Sequence, residues 1–192
     1  YVNSNEVVGP KNPDCYNDQG FVSLGGIGGF VIVEFGVNAI DDGDTIILGN
    51  QDFFDNVVID GKTDLRIVGK GQVLLDGGFF DSTLIIRNSV DIEIEKLNIT
   101  GGDSHGIEIE DSSDVVISKC RIKENDGDAI NAVRADRLEV SKCTIGSSDS
   151  GIVADDSDDV RIEKNKITDV LEDGISLSGG GDEGTSNDGR IE

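Results

Sequence analysis

DIEIEKLNITGGDSHGIEIEDSS at 91–113, DVVISKCRIKENDGDAINAVRAD at 114–136, RLEVSKCTIGSSDSGIVADDSD at 137–158 and DVRIEKNKITDVLEDGISLSGGG at 159–181 are four copies of one unit. Ile94, Ile117, Val140 and Ile162 are 23, 23 and 22 residues apart. Ile99, Ile122, Ile145 and Ile167 keep the same spacings, and Ile107, Ile130, Ile152 and Ile175 follow at 23, 22 and 23. Three apolar columns sharing one period mark a repeat architecture.

Within each unit the runs IEIE, VVIS, LEVS and VRIE alternate apolar and polar residues. A period of two argues strands, and the Gly, Asp, Asn and Ser between the runs are turn formers. No useful length shows a 3.6 period, and the L-x-x-L-x-L-x-x-N frame of a leucine-rich horseshoe is absent. A unit of 22 or 23 residues made of strands and turns is one coil of a β-solenoid, each coil pairing in parallel with the next. The small column Gly106, Ala129, Gly151 and Gly174 is expected where the backbone turns a tight corner. The preceding coil is four residues longer, because Ile67 and Ile94 are 27 apart, and the excess is placed in DGGFFDS at 76–82. Phe79 and Phe80 in that loop are the best candidates for an exposed apolar contact.

Upstream, NAIDDGDTIILGNQDFFDNVVIDGKTDLRIVGKGQVLLDGG at 38–78 contains DDGDTIIL, NVVID and DLRIVGKG in order. This run resembles the opening coils of secreted right-handed parallel β-helix proteins of the NosD-like and pectate-lyase-like kind. HGIEIEDSSDVVISKCRI from His105 is similar to that group's repeat unit, so the resemblance covers 38–192. It implies an all-β, right-handed parallel β-helix, a single-stranded β-solenoid of about six coils. Residues 1–37 read as a loop-rich lead-in and a cap or first coil, with FVSLGGIGGFVIVEFG at 21–36 feeding a strand. NDGRIE at 187–192 matches DDVRIE at 158–163, so the solenoid reads as uncapped at that end. The group includes lyases, hydrolases, epimerases, adhesins and structural proteins, and a fold does not fix a chemistry.

The 192 residues carry 16 Lys and Arg against 39 Asp and Glu, a net charge of −23. Such a surface repels nucleic-acid phosphates and anionic lipid, and excludes both as partners. No apolar run is long enough to span a membrane. The sequence starts at Tyr and has no Met, which fits a secreted chain matured by cleavage and an extracellular or cell-surface location. Cys120 and Cys143 share a column on neighbouring coils, at a separation that permits either a disulfide or two stacked buried thiols. Cys15 has no obvious partner, and Asn98-Ile-Thr100 is an N-glycosylation sequon.

Outward positions carry the candidate chemistry. His105, Asp128, Ser150 and Asp173 share a corner column, preceded by Asp103 and Asp126. Glu108 and Asn131 project together from the following strand, as do Glu110, Val133, Asp155 and Ser178. Stacked carboxylates invite a hard cation, so Ca2+ on Asp103, Asp126 and Asp128 is one expectation, and solvated turn aspartates are the other. Catalytic candidates are Asp103, His105, Glu108, Asp128 and Arg134, the last as the basic group a uronate lyase needs. SHGIEI resembles the GHG-containing strand of polygalacturonases, yet the aspartate motifs that precede the His in that family are missing before His105. No epimerase DPHD-type motif is present. Lys96, Lys119, Lys142 and Lys164 form a further column, read as a solvated face rather than a polyanion site. Two functions follow. The first is a non-catalytic extracellular structural or binding solenoid that self-associates through its coil ends into a filament. The second is a polysaccharide-active domain, a lyase, hydrolase or epimerase acting on acidic polysaccharide.

Overall fold

The structure, a computed structural model, describes residues 43–179 and 190–191. The lead-in and cap expected over 1–37, with Cys15, lie outside the described residues, as do 187–189 of the terminal NDGRIE. All regular structure among the described residues is strand. In Ile107–Ser118, Ile107, Ile109, Val115 and Ile117 are fully buried, whereas Glu108, Glu110, Val116 and Ser118 between them are partly exposed. Alternation of this kind sends successive side chains to opposite faces of a pleated strand, so one set fills the core.

The three isoleucine columns become three walls of stacked residues. Ile94 pairs with Ile117, Val140 with Ile117, and Ile162 with Val140, all in parallel. Ile99, Ile122, Ile145 and Ile167 pair in the same way, as do Ile107, Ile130, Ile152 and Ile175. Two walls belong to a twelve-stranded sheet and the third to a six-stranded sheet. Each coil gives the latter one short strand: Asp52–Phe54, Leu74–Asp76, Asn98–Thr100, Arg121–Lys123, Thr144–Ser148 and Lys166–Val170. Six coils therefore stand in the stack, and Arg190–Ile191 pairs in parallel with Arg161–Glu163. One continuous apolar core runs between the walls.

Two columns of corners are made by residues that are not glycine. Asp91, Asp114, Arg137 and Asp159 have φ of 58°, 56°, 54° and 58°, and Lys96, Lys119, Lys142 and Lys164 have 59°, 56°, 57° and 56°. The left-handed region costs an ordinary residue roughly 1–2 kcal/mol, so the stack holds each of these corners against a local preference. The column Gly106, Ala129, Gly151 and Gly174 falls at a bend in every coil, as expected, and none of these residues is left-handed. It is small for want of space: a Cβ on Gly151 would lie 2.3 Å from the carbonyl oxygen of Gly174 on the next coil.

The long coil also differs from expectation. Ile67 pairs with Ile94, 27 residues on, Leu75 with Ile99, 24 on, and Leu84 with Ile107, 23 on. Three of the four extra residues thus lie between Ile67 and Leu75, and one between Leu75 and Leu84. The turn at 70–72 takes the excess, anchored by the Gln72 N–H on Asn50 Oδ1 at 2.7 Å, rather than DGGFFDS alone.

Cys120 and Cys143 are free and buried, each thiol directed at a main-chain carbonyl, so the column holds stacked thiols and not a disulfide. The neighbouring Cys143 thiol and burial push the Cys120 thiol up, which keeps it protonated. Below them Asn165 accepts the Cys143 N–H at 2.8 Å and donates to Val140 O at 2.7 Å. Glu95, only 3% exposed, is compensated by Lys119 at 2.7 Å, Lys96 at 2.9 Å and Arg66 at 2.5 Å. The bonds from Lys119 and Lys96 hold its carboxyl down to about 2. Lys164 pairs with Glu163, so much of the lysine column is neutralised locally.

Candidate functional site

The corner predicted from the repeat is assembled by three successive coils. Nδ1 of His105 accepts the backbone N–H of Asp128 at 3.1 Å, and the Asp128 carboxylate lies 3.5 Å from the same nitrogen. Asn131 donates to Asp128 Oδ2 at 2.8 Å. Glu108 stands opposite Asn131 in the parallel register and accepts the Ser82 hydroxyl at 2.5 Å. Serine, glutamate, asparagine, aspartate and histidine thus form one polar strip across the coil direction. Neutral His105 carries its proton on Nε2, because Nδ1 is occupied as an acceptor.

Local sequence explains the closeness. Gly127 has no side chain where a Cβ would lie 1.7 Å from Ser104 O and 3.1 Å from His105 Nδ1. Beneath the same loop Asn125, 3% exposed, accepts the Gly102 N–H at 3.0 Å and so fixes the approach to His105. Asn125 was not singled out by its sequence position, although an Asn two residues before a Gly in a turn is the available signal.

The remaining candidates go elsewhere. Asp103 and Asp126 are exposed on successive coils, held through their backbone N–H groups by Asp81 O and Gly102 O. Among the described residues no group of three or more His, Cys, Asp or Glu side chains is placed to hold a metal ion. Asp128, the third residue proposed for calcium, already has its carboxylate engaged by Asn131. Arg134 makes a two-pronged pair with Asp111, Nε–Oδ1 at 2.5 Å and a second bond at 3.0 Å, and is not directed at the corner. That guanidinium holds the Asp111 carboxyl below the usual range. Asn98 is a half-buried strand residue whose amide donates to Val73 O at 2.8 Å, so the sequon lies in a paired strand rather than a loop.

A second feature lies on the outer face of the six-stranded sheet. A cleft of about 510 Å³ is lined by Asp52, Gln72, Asn98, Arg121, Lys123 and Glu124, among others. Its floor follows from the alternation, since Ile99 and Ile122 point inward and their neighbours outward. The turn inserted at 70–72 supplies Gln72 as its wall. Arg121 and Lys123 form no ion pair with any described residue, whereas Arg66, Arg87, Arg134, Arg137 and Arg161 are all paired. The lateral neighbours of Arg121 in the sheet are Asn98 and Thr144, both neutral. Cleft and corner are joined by a few residues of backbone: Glu124 lines the cleft, and Asp128 follows four positions later.

Solved structures similar to this chain include a candidate glycosyl hydrolase from Parabacteroides merdae ATCC 43184, with a TM-score of 0.52 and 12% identity over 71% of this chain and 79% of that one. A pectin methylesterase mutant in complex with a hexasaccharide gives 0.50 and 10% identity. The match covers 74% of this chain and 59% of the esterase. At such identities the likeness is one of fold. No curated protein matches the sequence. The family model for the right handed beta helix region matches residues 82–192, more than half of the sequence, and with the coil stack described above the chain belongs to that family.

Proposed function

We propose that the protein is a polysaccharide-active β-helix domain that holds an acidic polysaccharide in the cleft of the six-stranded sheet and acts on it at the adjoining corner. The observation that carries this reading is the placement of Arg121 and Lys123, cations that form no ion pair with any described residue, in an open cleft shared with Asp52 and Glu124 on a chain of net charge −23. With no ion pair to a described residue, a guanidinium and an ammonium are available to carboxylates of a ligand, and Arg offers them a two-pronged fork. Asn98, Gln72 and Thr100 add neutral hydrogen-bonding groups suited to sugar hydroxyls. At the corner Glu108 and Asp128 are the acid–base candidates, and His105 presents Nε2–H. The similarity of fold to a hexasaccharide-bound esterase and a candidate glycosyl hydrolase supports the ligand class. A secreted setting, where such polymers occur, belongs to the same proposal.

The test is incubation of the purified protein with polygalacturonate and alginate, with a neutral glucan as control, following reducing ends, unsaturated products and uronate configuration. Turnover of an acidic polymer that is lost in His105→Ala and Asp128→Asn is expected, together with weakened binding in Arg121→Ala. Absence of both product and binding would sink the proposal.

One observation favours the non-catalytic solenoid instead. Arg87–Asp60, Arg134–Asp111 and Arg137–Asp114 each tie one coil to the one before it along the outer surface. On that reading the protein binds or self-associates without turnover, and light scattering that rises with concentration distinguishes it.

A further inference from the structure

The loop between Leu74–Asp76 and Leu84–Arg87 is longer than its counterpart in the preceding coil. Phe53 pairs with Leu75, 22 residues on, but Val57 pairs with Leu84, 27 on, so five more residues stand in this loop than at the equivalent turn above it. It displays Phe79, 56% exposed, and Phe80, 86% exposed. Phe79 also adopts φ of 61°, a left-handed conformation that a bulky side chain avoids. Exposure of two adjacent aromatic rings and a strained backbone both oppose folding, and strain of this kind clusters at functional surfaces.

The loop is nevertheless held in place. Gly77 N–H donates to Thr100 O at 3.0 Å, Phe79 N–H to Gly101 O at 2.7 Å, and Asp103 N–H to Asp81 O at 2.9 Å. Its position is continuous with both halves of the proposed site. The loop leaves the six-stranded sheet at Asp76, opposite Thr100 of the cleft and opposite Phe54, itself 59% exposed. It ends at Ser82, the residue that donates to Glu108. The loop that carries the rings therefore runs from a strand bordering the cleft to the corner, although neither ring is among the residues that line the cleft.

We propose that Phe79 and Phe80 form a stacking subsite for the uncharged face of a pyranose ring, one residue of the polysaccharide whose carboxylates Arg121 and Lys123 hold. The inference rests on the proposed function and adds to it a contact of a different chemistry. The face of an aromatic ring carries partial negative charge, so it attracts the C–H face of a sugar and disfavours a carboxylate. Cation and ring thus select for different parts of one ligand.

The test is affinity electrophoresis and calorimetry with polygalacturonate and its short oligomers on the full chain. Phe79→Ala with Phe80→Ala is expected to weaken polymer binding about tenfold, with the thermal midpoint unchanged or raised. Phe79→Gly, which removes strain and ring together, is a second variant expected to keep the fold, because glycine adopts this φ without cost. Unchanged binding in the double variant alongside weakened binding in Arg121→Ala overturns the stacking subsite and leaves the proposed function standing. No binding of either polygalacturonate or alginate by the unaltered protein overturns both. A double variant that binds normally but sediments as a smaller species would assign the rings to contact between copies, and would overturn the subsite.

Discussion

His105 and Asp128 are joined across one coil boundary: the Asp128 backbone N–H donates to Nδ1 at 3.1 Å, and the Asp128 carboxylate lies 3.5 Å from the same atom. The backbone bond fixes the ring, so replacing the carboxylate changes chemistry more than geometry. Asp128→Asn is expected to lower turnover of an acidic polysaccharide by about a hundredfold or more, the range of general acid–base groups. The thermal midpoint should stay within the error of the measurement. Equal losses of stability and turnover would mark Asp128 as a structural residue.

Glu95 gives a pH dependence with a defined sign. Its hydrogen bonds to Lys119 and Lys96 depress the folded carboxyl from 4.5 to about 2. The stabilisation is therefore complete above the unfolded value and is lost as pH falls through the folded one. Glu95→Gln should cost about 1–3 kcal/mol at neutral pH and flatten the acid limb of the stability curve over that window. Thermal unfolding from neutral pH down to the acid limit checks it, and an unaltered acid limb in the variant would contradict the assignment.

Gly151 and Gly174 occupy one column yet should respond differently to alanine. A Cβ at Gly151 meets the Gly174 carbonyl at 2.3 Å and Ile167 Cγ2 at 2.8 Å, whereas one at Gly174 meets nothing within 4 Å. Gly151→Ala is expected to destabilise by about 1–3 kcal/mol through overpacking, and Gly174→Ala by less than a tenth of the total stability. Denaturant midpoints of the two variants decide it.

Cys120 and Cys143 should resist alkylation in the folded protein and react on unfolding, because both are buried and Cys120 is held protonated. Mass spectrometry of native and denatured samples after alkylation reads this directly. A linked Cys120–Cys143 peptide in the native sample would show that the column closes into a disulfide.

The fold was legible because its pattern is stated four times over. Any one of the columns begun by Ile94, Ile99 and Ile107 gives the period, and the period gives the parallel register. The corner of His105 and Asp128 was legible for the same reason, as a column of that register. The partner of Arg134 is not visible on its own strand, because Asp111 stands 23 residues before it, one coil away in the stack. The same subtraction applied to Arg121 lands on Asn98 and Thr144, and singles it out as a cation with no charged neighbour along its column of the sheet. Insertion of three residues between Ile67 and Leu75 was not legible, since a length difference does not say which turn absorbs it.

Coil equivalence has an evolutionary corollary. Excision of 114–136 would bring Val140 under Ile94 and Ile145 under Ile99, restoring every wall of the core with one storey fewer. The same excision would remove Arg121, Lys123, Asp128 and Asn131 together. Architecture in this molecule is written redundantly and chemistry only once, so duplication or loss of a single coil can create or erase a site while leaving a foldable chain.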